Sequence, residues 1–158
     1  MKSYAYHEAG HTIVAQHLGL PVEYTTIDEE VSPLVATKTI RLNDYFDEDA
    51  LMIGRLKARG KESLEREDYR MFYSMLLFKL AGYVAVELAD EEMVNEKKHY
   101  DEDRVFAFNI LNHLEKGIAE IRYEKMRRIA EKILRHKWEE VESLAKRLME
   151  ERTVYFSD

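Results

Sequence analysis

The chain has 158 residues, with 24 Lys and Arg against 31 Asp and Glu, which gives a net charge of −7. Hydrophobic residues make up 46% of the chain and cysteine is absent, so disorder, disulfides and thiolate sites are excluded, and any metal must be held by His, Asp or Glu. The acidic balance argues against binding to nucleic acid or to an anionic membrane through bulk charge.

The first third of the sequence predicts a helix followed by a β-hairpin. Residues Ser3 to Leu18 have a helical pattern, and Ser3 is a candidate N-cap. The segments Val22 to Asp28 and Leu34 to Leu42 alternate and are rich in β-branched residues, which indicates two paired strands. Asp47 is a candidate cap for one further short helix.

The remainder of the sequence predicts further helices. A helical pattern runs from Leu64 to about Ala89, and a charged loop follows over Asp90 to Tyr100. Helices are expected from about Asp101 to the end, with breaks near Gly117 and near His136. Together these elements predict a single domain over residues 1–158 that is mainly α with a small antiparallel β element.

The stretch Phe72 to Ala89 is the most apolar part of the chain and approaches the length of a membrane span. It contains Lys79 and Glu87, and a charge near the centre of a span costs about 2.5–3.5 kcal/mol. We therefore expect no membrane insertion but a buried helix, against which the first helix packs through Gly10, a residue without a side chain. Since the sequence shows no secretory leader pattern, we also expect a cytoplasmic protein.

The first predicted helix contains His7-Glu8-Ala9-Gly10-His11, which matches the H-E-x-x-H pattern of metallohydrolases. Residues four apart share a helix face, so the imidazoles of His7 and His11 can bind one metal ion. Glu8 is rotated by about 100° from His7, which places its carboxylate beside a metal-activated water rather than on the ion. Two His, an oxygen ligand and water form a common catalytic zinc site, in which Glu8 is the general base.

The third protein ligand must come from elsewhere in the chain. Residue type alone leaves Glu87, His99, Asp101 and Asp103 as candidates. Asp101 has an alternative role as the N-cap of the following helix. Glu87 has two alternative roles, one as the acceptor of a hydrogen bond from a ligand histidine and one as the partner of a Lys or Arg.

Four segments resemble, in order, the peptidase domain of the FtsH family of ATP-dependent zinc proteases. Ala5 to His11 carries the family's H-E-A-G-H, and Leu80 to Leu88 is similar to its L-G-G-R-A-A-E-E-L helix. Asp103 to Ala107 is similar to its D-L-x-x-A segment, and Val141 to Thr153 to its C-terminal helix. The resemblance implies an FtsH-peptidase-like helical fold, Zn²⁺ as the cofactor, and Asp103 as the third ligand.

The chain also departs from the family pattern. It has no G-x-x-x-x-G-K-[ST] loop, so no ATPase module is expected in it, and no membrane anchor is expected either. His99 to Asp103 replaces the family's G-A-S-N-D, which keeps Asp101 as the runner-up ligand because the register can slip there by two residues. Tyr83 replaces the arginine of G-G-R, and Asn43 to Glu67 has no recognised counterpart.

The sequence therefore predicts an ATP-independent zinc metallopeptidase, with His7, His11 and Asp103 as ligands and Glu8 as general base. The expected substrate is a peptide or an unfolded protein, which can align beside the strand Leu34 to Leu42 through backbone hydrogen bonds. The alternative is a non-catalytic peptide-binding module, or a peptidase that works with a separate ATPase partner. A homo-oligomer is compatible with either interpretation.

Overall fold

The computed structural model describes residues 1–20, 22–28, 35–37, 66–89, 99–114 and 117–156. These ranges are mainly helical and contain a small antiparallel sheet, as the sequence predicts. The helices are α1 (Lys2–His17), α2 (Arg66–Ala89), α3 (His99–Leu114), α4 (Ala119–His136) and α5 (Trp138–Glu151), and the strands are β1 (Val22–Thr26), β2 (Val35–Thr37) and β3 (Thr153–Tyr155).

Helix α1 lies at the centre of the fold and is buried along most of its length. A Cβ atom at Gly10 would lie 2.5 Å from the carbonyl oxygen of Ala81 and 2.5 Å from the Cβ of Ala85, both on α2. A side chain of any size at Gly10 would therefore push the two helices apart. The predicted packing of the motif helix against the apolar helix is confirmed, and Gly10 is its point of contact.

Helix α2 separates two hydrophobic clusters. On one side, Val84 of α2 belongs to the cluster of α1, α4 and α5, in which Leu134 and Leu148 are fully buried. On the other side, Leu76 packs with Ile110 of α3. Because α1 and α3 both pack on α2, residues from these two distant segments can meet at its surface.

The apolar window of α2, Phe72–Ala89, is long and apolar enough to cross a membrane by length and composition alone, with a mean hydropathy of 1.4. In the folded chain 56% of this window is buried. The residues of α2 contact α1, α3 and α4, and the core helix of a folded domain has the same composition.

The sheet has the strand order β2-β1-β3. The antiparallel pairing of β1 with β2, with Thr25 opposite Val35, confirms the predicted hairpin over the described residues. The expectation that helices run to the end of the chain is wrong. Helix α5 stops at Glu151, Arg152 adopts a positive φ of 66°, and the chain turns back so that β3 pairs with β1.

Other boundaries differ little from the prediction. The break near Gly117 is present, with a positive φ of 93° at that glycine, and α4 ends at His136 as expected. The predicted Ser3 cap is wrong because α1 begins one residue earlier, with Met1 in the N-cap position and Ser3 buried within the first turn. The predicted helix after Asp47 lies outside the described residues, as do residues 90–98 of the predicted loop.

Candidate metal centre

One turn of α1 brings two imidazoles together. The Nε2 atoms of His7 and His11 are 2.9 Å apart, and the two residues are only 8% and 5% exposed. The ring planes are nearly perpendicular, at 88°, with the ring centroids 4.4 Å apart. The spacing of four residues therefore produces the predicted pair, with both Nε2 atoms directed to one point.

Asp103 reaches the same point from α3. Its Oδ2 atom lies 3.5 Å from Nε2 of His7 and 3.4 Å from Nε2 of His11. Ala107, one turn further along α3, is fully buried in the cluster that includes Leu80 of α2. Because Ala107 is buried against α2, this face of α3 is directed toward α2. Asp103 lies four residues before Ala107 on the same face, so its carboxylate is directed toward the imidazoles.

The three atoms have separations that suit ligands of one ion. Ligand atoms at about 2.0–2.2 Å from a tetrahedral zinc ion lie ~3.3 Å from one another. The separations here are 2.9, 3.4 and 3.5 Å. His7, His11 and Asp103 therefore form a group that can hold a metal ion, and imidazole with carboxylate suits Zn²⁺, Fe²⁺, Co²⁺ or Ni²⁺.

The other candidate ligands have different positions. The carboxylate of Glu87 forms an ion pair with Arg127 of α4, with Oε2 and Nη2 2.5 Å apart, which is the second of the two alternatives considered for it. Asp101 is the third residue of α3, which begins at His99, so the N-cap role considered for it is wrong. The side chains of Asp101 and His99 lie outside the described part of the chain.

The second nitrogen of His11 is held by α2. Its Nδ1–H donates a hydrogen bond of 2.7 Å to the carbonyl oxygen of Phe78. This bond places the ring proton on Nδ1, so that Nε2 is left with a lone pair for a metal. The ring of Phe78 also lies 4.7 Å from the ring of His11. The sequence could not indicate this partner, because every residue has a backbone carbonyl.

Gly82 of α2 gives both imidazoles their space. A Cβ atom at Gly82 would lie 2.5 Å from Nε2 of His11 and 2.6 Å from both Cε1 and Nδ1 of His7. Non-bonded atoms do not approach so closely, so a larger residue at position 82 would displace the two rings. A glycine within an apolar helical pattern was the available sequence signal for such a close approach.

Lys79 of α2 holds the other oxygen of Asp103. Its Nζ donates a hydrogen bond of 2.9 Å to Oδ1, and the two side chains are 19% and 17% exposed. The ammonium group also lies 5.4 Å from the centroid of the Phe106 ring. From the sequence, Lys79 is only a charge that disfavours a membrane span. Its contact with Asp103 could not be predicted, because no spacing rule links residues 24 positions apart.

Glu8 is not one of the three residues that converge, but its carboxyl group interacts electrostatically with His11 and Asp103. Its side chain is buried, with only 3% of the residue exposed. Burial raises the pKa of Glu8 to about 7, although His11 and Lys79 act in the opposite direction. The turn of α1 that carries Glu8 is also linked to the sheet. The hydroxyl of Thr12 donates a hydrogen bond of 2.8 Å to the carbonyl oxygen of Glu8 and forms a second one of 2.6 Å with the hydroxyl of Thr25 on β1.

The three ligand groups differ in protonation in the metal-free chain. Burial, with a contribution from His11, lowers the pKa of His7 to about 4, which leaves it neutral near pH 7. Burial alone would raise the pKa of Asp103, but its hydrogen bonds to His11 and His7 outweigh this effect and hold the pKa well below its usual range. The pKa of His11 is raised because Asp103 and Glu8 outweigh burial. A cation and a proton compete for Nε2 of His11, so metal binding is expected to weaken as the pH falls.

Comparison of the chain with known protein families found no family that matches, and comparison with curated proteins found no significant match either.

Proposed function

We propose that the chain is a zinc metallopeptidase that hydrolyses peptide bonds without ATP. The observation that supports this most directly is the convergence of His7, His11 and Asp103, with the carboxylate of Glu8 buried on the same helix. A structural zinc site is closed by four protein ligands, whereas a catalytic site has three and keeps a position open. Three protein ligands converge within the described residues, which favours catalysis.

The residues have separate roles in the proposed reaction. When bound, the ion polarises the carbonyl group of a peptide bond and lowers the pKa of water. Glu8 accepts a proton from the attacking water and delivers it to the nitrogen of the leaving amine. The Phe78 carbonyl keeps Nε2 of His11 available as a ligand, through its hydrogen bond to Nδ1.

An edge of the sheet can bind an extended substrate. In the strand order β2-β1-β3, β2 lies at an edge of the described sheet, and an extended peptide can add to such an edge through backbone hydrogen bonds. Recognition through the backbone gives little sequence specificity, so the substrate class is short peptides and unfolded proteins. Folded domains protect most of their strand edges, so they present few free extended segments to this edge.

The order of the parts along the chain supports an FtsH-peptidase-like fold as part of this proposal. The H-E-A-G-H helix comes first, the helix with Gly82 second and the helix with Asp103 third. This is the order of the segments that resemble the family. The 158 residues contain no P-loop sequence, which supports hydrolysis without ATP by this chain.

A peptide cleavage assay tests the proposal. The purified chain is incubated with zinc and either a fluorogenic peptide or unfolded casein, with and without a chelator. We expect turnover that is lost on chelation, restored by zinc, and reduced by about 10²-fold or more in Glu8→Gln. The matched control is Glu124→Gln, which makes the same change at an exposed position of α4 and is expected to leave turnover unchanged.

Two outcomes would contradict the proposed function. Turnover that survives both chelation and Glu8→Gln would show that the activity does not use this site. One bound metal per chain without any turnover would favour the non-catalytic peptide-binding module.

A further inference from the structure

The two oxygens of Asp103 have different partners. Oδ2 faces the two imidazoles, at 3.5 Å from His7 and 3.4 Å from His11. Oδ1 accepts the hydrogen bond from Lys79 at 2.9 Å. The carboxylate therefore lies between the ligand pair of α1 and the ammonium group of α2, and its orientation is set by both.

We propose that Lys79 is a positioning residue that makes Asp103 bind the metal through one oxygen only. A carboxylate can bind a cation through one or both of its oxygens. Here a charge-assisted hydrogen bond, stronger than a neutral one, occupies Oδ1. Binding through both oxygens would bring the cation toward Oδ1 and its bound ammonium group, where the two positive charges repel each other. Lys79 thereby keeps the coordination number low and a position on the ion available to substrate.

The position of Lys79 is suited to this role. Its side chain is largely buried. Its ammonium group donates to Asp103 and lies over the ring of Phe106, which is three residues further along α3. Both groups on α3 therefore hold the Nζ atom near Oδ1. A cation placed over an aromatic face is attracted by the electrons of the ring, which adds to the attraction of the carboxylate.

The charge of Lys79 also has an opposing effect. An ammonium group beside a metal site repels a divalent cation, and this repulsion is stronger in a buried site than in water. Removing the charge should therefore favour ion binding, even as it frees the carboxylate to rotate. If Lys79 has a positioning role, a variant without its charge should keep the metal but change its coordination. If its role is merely structural, the variant should instead lose stability or metal binding.

Cobalt spectroscopy of the full chain tests this inference. Co²⁺ replaces zinc, and its visible absorption is strong in four-coordinate sites and weaker at higher coordination number. We expect Lys79→Met to retain one Co²⁺ per chain but to lose visible absorbance, because Oδ1 joins the metal. Lys79→Arg, which keeps a cationic donor, should restore the wild-type spectrum. The control Lys125→Met changes an exposed lysine of α4 and should leave the spectrum unchanged.

A second measurement does not depend on the folding of a variant. X-ray absorption spectroscopy of the zinc-loaded wild-type chain distinguishes a carboxylate bound through one oxygen from one bound through two. We expect one zinc–oxygen distance from Asp103. Two equal zinc–oxygen distances from that carboxylate would overturn the inference, as would a Lys79→Met protein whose cobalt spectrum equals that of the wild type.

The inference rests on the metal site of the proposed function, and peptide turnover measured on the same samples separates the two. We expect kcat to fall by about 10–100-fold in Lys79→Met, the usual effect of losing a group that orients a ligand. A spectral change in Lys79→Met when the wild type has no turnover would support the inference and contradict the peptidase. Turnover in the wild type together with an unchanged cobalt spectrum in Lys79→Met would support the peptidase and contradict the inference about Lys79. A wild-type chain that binds no Co²⁺ would overturn both.

Discussion

The carbonyl oxygen of Phe78 accepts a hydrogen bond of 2.7 Å from Nδ1 of His11, which lies 67 positions away in the chain. Because the acceptor is a backbone atom, no substitution of Phe78 removes it. The orientation of His11 therefore depends on how closely α1 and α2 pack. That distance is set at Gly10, where a Cβ would meet the backbone of Ala81.

Substitution of Gly10 should accordingly damage both stability and metal binding. In Gly10→Ala the added Cβ would overlap the carbonyl oxygen of Ala81, a backbone atom that moves only if α2 moves. We expect a loss of about 1–3 kcal/mol in the free energy of unfolding, the usual cost of overpacking a core. Urea unfolding of the metal-free protein measures this loss.

The control for Gly10→Ala is Gln16→Ala, at an exposed position of the same helix. Its unfolding free energy should remain within about 0.5 kcal/mol of the wild type, as is usual at surface positions. Wild-type stability in Gly10→Ala would show that α1 and α2 are not in the close contact described.

Gly82→Ala should affect the metal more than the fold. The new Cβ would overlap Nε2 of His11 and the ring of His7, which are side-chain atoms that can move aside. An alanine within a helix also gains about 1 kcal/mol in helix propensity over glycine. We expect the unfolding free energy to change little, while metal affinity falls about tenfold or more because the rings no longer converge.

A competition titration against a chromophoric chelator measures that affinity. Gly117→Ala is the contrasting variant, because Gly117 has a positive φ and a Cβ there would meet no atom of the described residues within 4 Å. It should lose roughly 1 kcal/mol of stability through backbone strain and keep wild-type metal affinity. Equal metal affinities in the two variants would argue against the steric role of Gly82.

Local spacing was enough to predict part of the site. The approach of His7 to His11 follows from helix geometry alone, because residues four apart share a face. The approach of α1 to α2 at Gly10 could also be predicted, since a glycine in an apolar helix indicates close packing. Asp103 could not be selected by residue type. Its selection came from the resemblance to a family, and the structure places Oδ2 of that residue at the imidazoles.

Other features depend on tertiary contacts that leave no local pattern. The pairing of β3 with β1 requires the chain to reverse at Arg152, a residue with no special preference for a positive φ. A lysine in an apolar helix indicates only that its charge must find a partner. The partner of Lys79 on α3 is known once the two helices are packed together.

Glu87 tests whether a carboxylate of α2 outside the group of three ligands contributes to metal binding. Its carboxylate pairs with Arg127, and both side chains are roughly a quarter exposed. Partly exposed ion pairs contribute about 0–1 kcal/mol, so Glu87→Gln should lower the unfolding free energy by no more than about 1 kcal/mol. Zinc stoichiometry, measured by elemental analysis, should stay at one per chain. A loss of zinc in Glu87→Gln would show that this carboxylate supports the metal site.

Zinc should stabilise the folded chain, and the size of this effect separates a ligand from a general base. An ion that binds only the folded state adds about 2.7 kcal/mol at a concentration of 100 times Kd. For a chain of this length that corresponds to a rise of about 5–10 °C in Tm. Asp103→Asn removes the negative charge of a ligand carboxylate, so this variant should lose most of the rise in Tm. Glu8→Gln should keep all of that rise.

Calorimetry with and without zinc, each variant being compared with its own metal-free form, measures the rise in Tm. The same samples give kcat for a peptide, which should fall by about 10²-fold or more in Glu8→Gln despite the full thermal shift. In Asp103→Asn the two quantities should fall together, and excess zinc should restore part of both, because mass action offsets a weaker Kd. If Glu8→Gln also lost the thermal shift, Glu8 would be a ligand of the metal, and its role as a base acting on water would have to be abandoned.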